Sequence, residues 1–346
     1  MKALVFAEAG KLEIQEVPKP SLQSGEVLVK VEVCGICGSD IHAYKSGTLY
    51  TAGAIMGHEF SGVIEEVADG VTDWKAGDRV CVKPWAECGT CSWCRQGSYS
   101  LCPTALSRCI GVVPDLGGAL SEYLKVSYPR EILYRLPDTV SFEQGALVEP
   151  LSTSLHAIMR SSLRPGDVTV VLGAGMIGMG VVQLLKLSGA GEIILVEPSE
   201  GKRRIARELG ADHVLDPIEE GERIVDHVLE LTHGEGADIV YECVGIPATF
   251  ARTVPFCRSV GEVMIVGLQD NDVTFSALTL LLKEVNMKGV LGYHDEFDTV
   301  IKFLEKGMIQ TDLFITDVIA LSDVIEQGFQ KLMNLSDNIK ILVRPE

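Results

Sequence analysis

A glycine-rich turn set between an apolar strand and an apolar helix constrains this chain more than any other feature. VTVVLGAGMIGMG carries Gly173-x-Gly175-x-x-Gly178, and Glu197 ends the next apolar run, IILVEPS. Such glycines permit a tight turn, close approach of a pyrophosphate to the backbone, and close packing of helix on strand. The helix N-terminus then turns its partial positive charge toward phosphate. Strand, turn, helix, strand and acid in this order predict a dinucleotide site, with Gly173, Gly175, Met176, Ile177 and Gly178 at the phosphates. Glu197 can accept from the adenosine ribose hydroxyls and would repel a 2′-phosphate, which favours NAD over NADP. Lys202, Arg203 and Arg204 pull the other way; the arginines read as a solvated helix face and Lys202 as a cofactor neighbour.

After Pro150, apolar strands alternate with helix-period segments as far as NMKGVLGY. This predicts a doubly wound parallel sheet with helices on both faces. Before it, KALVFA, LEIQEV, EVLVKVEVCG, FSGVIEEV and RVCV predict a mainly antiparallel β region. A chain of 346 residues exceeds what one core sustains. The expected α/β organisation is a first domain over 1–151, completed by 292–346 through the last strand KILVR, and a dinucleotide-binding domain over 152–291.

Between residues 83 and 114 periodicity vanishes, and Cys88, Cys91, Cys94 and Cys102 crowd into KPWAECGTCSWCRQGSYSLCP. Four thiolates on an irregular loop suit a closed tetrahedral structural zinc site that orders a segment with little core of its own. Two disulfides or an iron–sulfur centre are the competing readings; a reducing compartment and the lack of an evident electron-transfer partner weigh against them. A second group is split between two segments: CGICGSDIHAY holds Cys37, Ser39, Asp40 and His42, and MGHEFSG holds His58 and Glu59. Catalytic zinc takes about three protein ligands and keeps one open position. Cys37, His58 and a carboxylate meet that description, whereas Cys34 reads as a strand-end packing residue.

The formal net charge of −18 opposes binding to nucleic acid or to an anionic membrane. The opening MKALVFAEAGKLEIQEV reads as a first strand and not as a signal peptide, and no apolar run is long enough to span a bilayer, so the expected location is cytoplasmic.

GHEFSG, CGICGSDIH, the four-cysteine lobe, the glycine fingerprint and GALVEPLSTSLHA together resemble the zinc-containing medium-chain alcohol dehydrogenases, over essentially the whole chain. Glu149, where ethanol-type members carry a cysteine, is similar to the sorbitol, butanediol and threonine dehydrogenase branch. The resemblance implies a GroES-like catalytic domain and a Rossmann coenzyme domain, an active site between them, and a homodimer or homotetramer. It implies Cys37, His58 and Glu59 as zinc ligands, Glu149 as an exchangeable or water-mediated one, and Asp40 orienting the His58 ring. Ser39 and His42 resemble a proton relay. Thr153, Val244, Gly245, Val266, Gly267, Leu268, Leu291, Gly292 and Tyr293 resemble cofactor contacts. The activity it implies is NAD-linked interconversion of a secondary alcohol, a polyol, vicinal diol or sugar alcohol, phosphorylated or not, and its ketone. L-Threonine 3-dehydrogenase is the alternative, although the tryptophan-bearing segment associated with it is missing from HAYKSGTLYTAG. A zinc-free quinone reductase or a non-catalytic relative ranks below both. Substrate shape would be read by loops near Tyr44, Leu49, Leu116 and Tyr293, and a substrate phosphate by Lys45 or Arg108.

Overall fold

The computed structural model describes residues 1–269, 271–334 and 337–345. Strands β1 (Lys2–Glu8), β2 (Lys11–Glu16), β3 (Val27–Gly35), β4 (Glu59–Val67), β5 (Arg79–Val82), β6 (Tyr123–Val126) and β7 (Leu133–Arg135) come first. Next are β8 (Val168–Leu172), β9 (Glu192–Val196), β10 (His213–Leu215), β11 (Ala237–Glu242), β12 (Cys257–Ile265) and β13 (Asn286–Gly289). The last two are β14 (Ile315–Ala320) and β15 (Lys340–Arg344). The chain divides into two compact units, Met1–Glu149 with Tyr293–Glu346, and Pro150–Gly292.

The first unit is built on a seven-stranded sheet in the order β14-β15-β3-β4-β5-β7, with β6 also paired to β3 and β1–β2 forming a separate hairpin. Alternation along β3 and β4 buries Val27, Val29, Val31, Phe60 and Ile64 in one core with Leu4, Val80, Leu120 and Phe329. The final strand contributes Ile341 and Val343 to the same core and pairs Leu342 with Gly35 and Val343 with Cys34.

The second unit is a six-stranded sheet in the order β10-β9-β8-β11-β12-β13, parallel in every pairing. Its central strands are mainly apolar because helices cover both faces: Val170, Leu172, Ile194, Val196, Val240 and Val263 are all buried. The chain leaves β8 toward β9 on one side and returns to β11 on the other, which puts a topological switch point at the carboxyl end of β8. That end is where Gly173 follows.

Candidate active site and cofactor cradle

In the first unit, one strand pair brings two distant sequence segments together. Gly35 at the end of β3 pairs with Glu59 at the start of β4. Cys37 then caps the helix Gly38–Ser46, and His58 directly precedes β4. The Cys37 amide donates to Asp40 Oδ2 at 2.8 Å, which fixes the entry to that helix. Gly57 is required here, since its φ is +96° and a Cβ would lie 2.6 Å from the Leu120 amide nitrogen and 2.8 Å from Cys34 Sγ. The consequence is that one donor atom from each of Cys37, His58 and Glu59 falls within 4.8 Å of the others.

Glu149 is buried nearby but stands outside that group. Burial, the largest influence, pushes its carboxyl up to about 7. Asp40 is fully buried and raised by the same cause. Burial also raises Cys37, with the Glu59 charge adding to it. Burial disfavours a charged His58, but Asp40 and Cys37 outweigh it and hold the imidazole well above the usual histidine range. Four acidic groups thus face His58 and Lys340, and a divalent cation would supply the missing positive charge. A thiol, an imidazole and a carboxylate form the mixed soft and hard donor set that suits zinc.

Two neighbours escaped the sequence reading. Lys340 reaches from β15 to donate to Glu59 Oε2 at 2.5 Å and to the Ile36 carbonyl at 2.9 Å, with its side chain almost entirely buried. Tyr50 donates to Asp40 Oδ1 at 2.6 Å. Neither stands in a motif: Lys340 lies far along the chain, and Tyr50 sits in a loop whose spacing carries no signal.

Ser39 and His42 lie three positions apart on the helix Gly38–Ser46, both half-buried, so they share a face. Tyr293 departs from the expectation of a cofactor contact. Its side chain is fully buried in the first unit, stacked on Trp85 at 4.5 Å, so it offers no surface to a dinucleotide. Its hydroxyl is buried beside the Glu149 carboxyl, and burial holds it well above the usual tyrosine range.

The four lobe cysteines also converge, with donor atoms mutually within 4.8 Å. Cys91 and Cys94 sulfurs are 3.4 Å apart, and the amides of Cys88, Cys91 and Cys94 point at the sulfurs of Cys102, Cys88 and Cys91. Backbone N–H groups of Thr90 and Cys91 hold the Cys88 thiol down at about 6, the environment of a thiolate ligand.

In the second unit, the cradle lies at the carboxyl ends of the strands. Gly173 has φ +92°, and a Cβ on Gly178 would sit 2.0 Å from the Gly173 carbonyl oxygen, so both are demanded by the fold itself. Gly175 is different. Its φ of −77° and ψ of −174° suit any residue, and an added Cβ would meet nothing within 4 Å. Only a group from outside the chain needs glycine there, which fits a pyrophosphate. Glu197 accepts from the Ala174 amide at 2.8 Å and the Ser199 amide at 3.0 Å, tying the acid to the glycine turn. The Arg203 guanidinium is committed to Asp216 at 2.7 Å and to the carbonyls of Glu197 and Pro198. Val244, Leu268 and Leu291 are exposed; Val244 and Leu268 follow β11 and β12, with Gly245, Val266 and Gly267 beside them. Thr153 is half-buried between buried Ser152 and Ser154, and Lys202 is half-buried in the helix Glu200–Leu209.

Two family models match: an alcohol dehydrogenase GroES-like domain over residues 23–138 and a zinc-binding dehydrogenase over 177–306. The chain is 37% identical to (R,R)-butanediol dehydrogenase of Bacillus subtilis, covering 100% of both chains. It is 31% identical to sorbitol dehydrogenase of the same species, covering 100% of this chain and 97% of that one. A crystal structure of a zinc-binding dehydrogenase from Sinorhizobium meliloti bound to NADP matches with a TM-score of 0.90 at 30% identity, covering 99% of each chain. With both domain models matched in order and relatives aligned from end to end, the chain belongs to the zinc-dependent medium-chain alcohol dehydrogenase family.

Proposed function

We propose that this protein is a zinc-dependent, NAD-linked oxidoreductase that interconverts a secondary alcohol and its ketone, with a polyol, vicinal diol or sugar alcohol, free or phosphorylated, as substrate. The convergence of Cys37, His58 and Glu59 donor atoms carries the proposal. The activities named for the butanediol and sorbitol relatives support the substrate class. Zinc would supply Lewis acidity that lowers the pKa of a substrate hydroxyl, and NAD would accept the hydride.

The chain's own residues divide the remaining work. Cys37, His58 and Glu59 hold the metal, and Glu149 serves as an exchangeable or water-mediated ligand. Ser39 takes the hydroxyl proton and passes it toward His42, which returns it to solvent. The turn from Gly173 through Met176 and Ile177 to Gly178 receives the pyrophosphate, and Glu197 binds the ribose. Thr153, Lys202, Val244–Gly245, Val266–Gly267–Leu268 and Leu291–Gly292 complete the cofactor site. Cys88, Cys91, Cys94 and Cys102 hold a structural zinc. NAD is favoured over NADP because a 2′-phosphate would meet Glu197 while Arg203 is engaged elsewhere. A reducing, cytoplasmic setting suits ten free cysteines, and the working form is a homodimer or homotetramer.

The test is a panel of diols, sugar alcohols, their phosphates and L-threonine, followed by NADH absorbance, with metal content measured on the same preparation. The expected result is turnover of a diol or polyol with NAD, two zinc ions per chain, and loss of activity in Cys37→Ser. Ser39→Ala should lower kcat by about 10²–10⁴-fold and leave NAD affinity unchanged. Turnover unaffected by removal of zinc would overturn the reading.

A further inference from the structure

A carboxylate commonly orients a metal-binding histidine by accepting from its second ring nitrogen. In this chain the carboxylate and ring do not meet directly, since Asp40 Oδ1 lies 3.7 Å from His58 Nδ1. The Tyr50 hydroxyl lies within reach of both. It donates to Asp40 Oδ1 at 2.6 Å and lies 3.4 Å from His58 Nδ1. The other Asp40 oxygen, Oδ2, accepts from the Cys37 amide at 2.8 Å.

The direction of these bonds follows from the proton inventory. Both Asp40 oxygens act as acceptors, so the single phenolic proton of Tyr50 is spent on Asp40, and the lone pairs of Oη are what face His58. Nδ1 must then be the protonated, donating nitrogen, which leaves the lone pair on Nε2. We infer that Tyr50 is a positioning residue of the metal site: its hydroxyl relays Asp40 to His58, fixing the tautomer and ring plane that make Nε2 the ligand nitrogen. Through Asp40 the same chain of bonds ties the imidazole to the backbone of Cys37, so two ligands are set by one buried network. Tyr50 is suited to the task because only 7% of it is exposed and its ring packs edge-on against Phe6, with centroids 6.1 Å apart. The inference rests on the proposal that Cys37, His58 and Glu59 hold a metal ion.

Tyr50→Phe removes the hydroxyl and keeps the ring on Phe6. In zinc-loaded protein, chelator competition should show the zinc at Cys37 and His58 bound about 10–100-fold more weakly, with the four-cysteine zinc unchanged. Histidine-¹⁵N spectra should show the His58 Nδ1–H of the wild type exchanging faster or mixing with the other tautomer in the variant. Asp40→Asn added to Tyr50→Phe should weaken zinc by much less than the two separate losses combined, because both act through one relay. Unchanged affinity and an unchanged tautomer in Tyr50→Phe would sink the role of Tyr50, as would equal weakening at both zinc sites, which marks a general structural defect. One zinc per wild-type chain, held by the cysteine lobe alone, would instead overturn the metal-site reading and this inference with it.

Discussion

Gly175 and Gly178 sit three positions apart in one fingerprint, yet they answer to different forces. Gly178 faces the chain itself: the Gly173 carbonyl oxygen occupies the place of its missing Cβ. Gly175 faces nothing within 4 Å and has ordinary dihedrals. Gly178→Ala should therefore lower stability by roughly 1–3 kcal/mol through overpacking, read from urea unfolding. Gly175→Ala should unfold at the wild-type urea concentration but bind NAD about tenfold or more weakly, read by fluorescence titration. The reverse pattern would show that Gly175 serves the fold and not a ligand. Motif spacing identified both residues without separating their roles, because the distinction depends on what lies across the turn. The same limit hid Tyr50 and Lys340. Cys37, His58 and Glu59 were legible because they sit in tight local patterns; their buried partners arrive from a loop and from the last strand, and only the pairing of β15 with β3 brings Lys340 to Glu59.

Elements with a full apolar face were the easiest to read. The strands of the second unit announce themselves as Val- and Ile-rich runs, whereas β14 is only half-buried along its length and offers no alternation to find. Less legible is the start of β12 at Cys257, which pairs with Ala237 before a register shift to the Ile239–Glu262 pair leaves three more residues on β12 than on β11. The cysteine lobe is the opposite extreme. It has one short helix, Ser92–Arg95, and two single 3₁₀ turns, Tyr99–Leu101 and Leu106–Arg108, and its buried centre consists of Cys94, Cys102 and Ala105 packed by Trp85, Cys88, Cys91 and Tyr99. The sulfurs are most of the core, so the bond that organises this element is expected to be metal–thiolate. Stripping the metal with a strong chelator should raise amide hydrogen exchange across residues 83–114 while β8, β9 and β11 stay protected. Cys91→Ser should do the same and lower zinc content by one ion per chain. Exchange in the lobe that ignores the metal would mean that packing alone sustains it.

At the level of the whole molecule, β13 lies at the rim of the six-stranded sheet, with one side of its backbone unpaired in that sheet. The helix Ala277–Lys283 just before it exposes Leu278, Leu281 and Leu282 at 65%, 69% and 70%. Three adjacent leucines in water beside an open strand edge form a patch that association would cover, and a two-fold pairing of the same face buries it in both copies with one contact. The net charge of −18 works against that pairing at long range, so salt should strengthen it. Light scattering should give a mass that is a multiple of 37.4 kDa, and the multimer should persist to lower protein concentration as sodium chloride is raised. Leu281→Glu adds a charge to the centre of the patch without touching the buried core, and should yield a monomer with an unchanged melting curve for its secondary structure. A wild-type chain that remains a monomer at micromolar concentration in high salt would remove this face from the assembly and leave the leucines without a role.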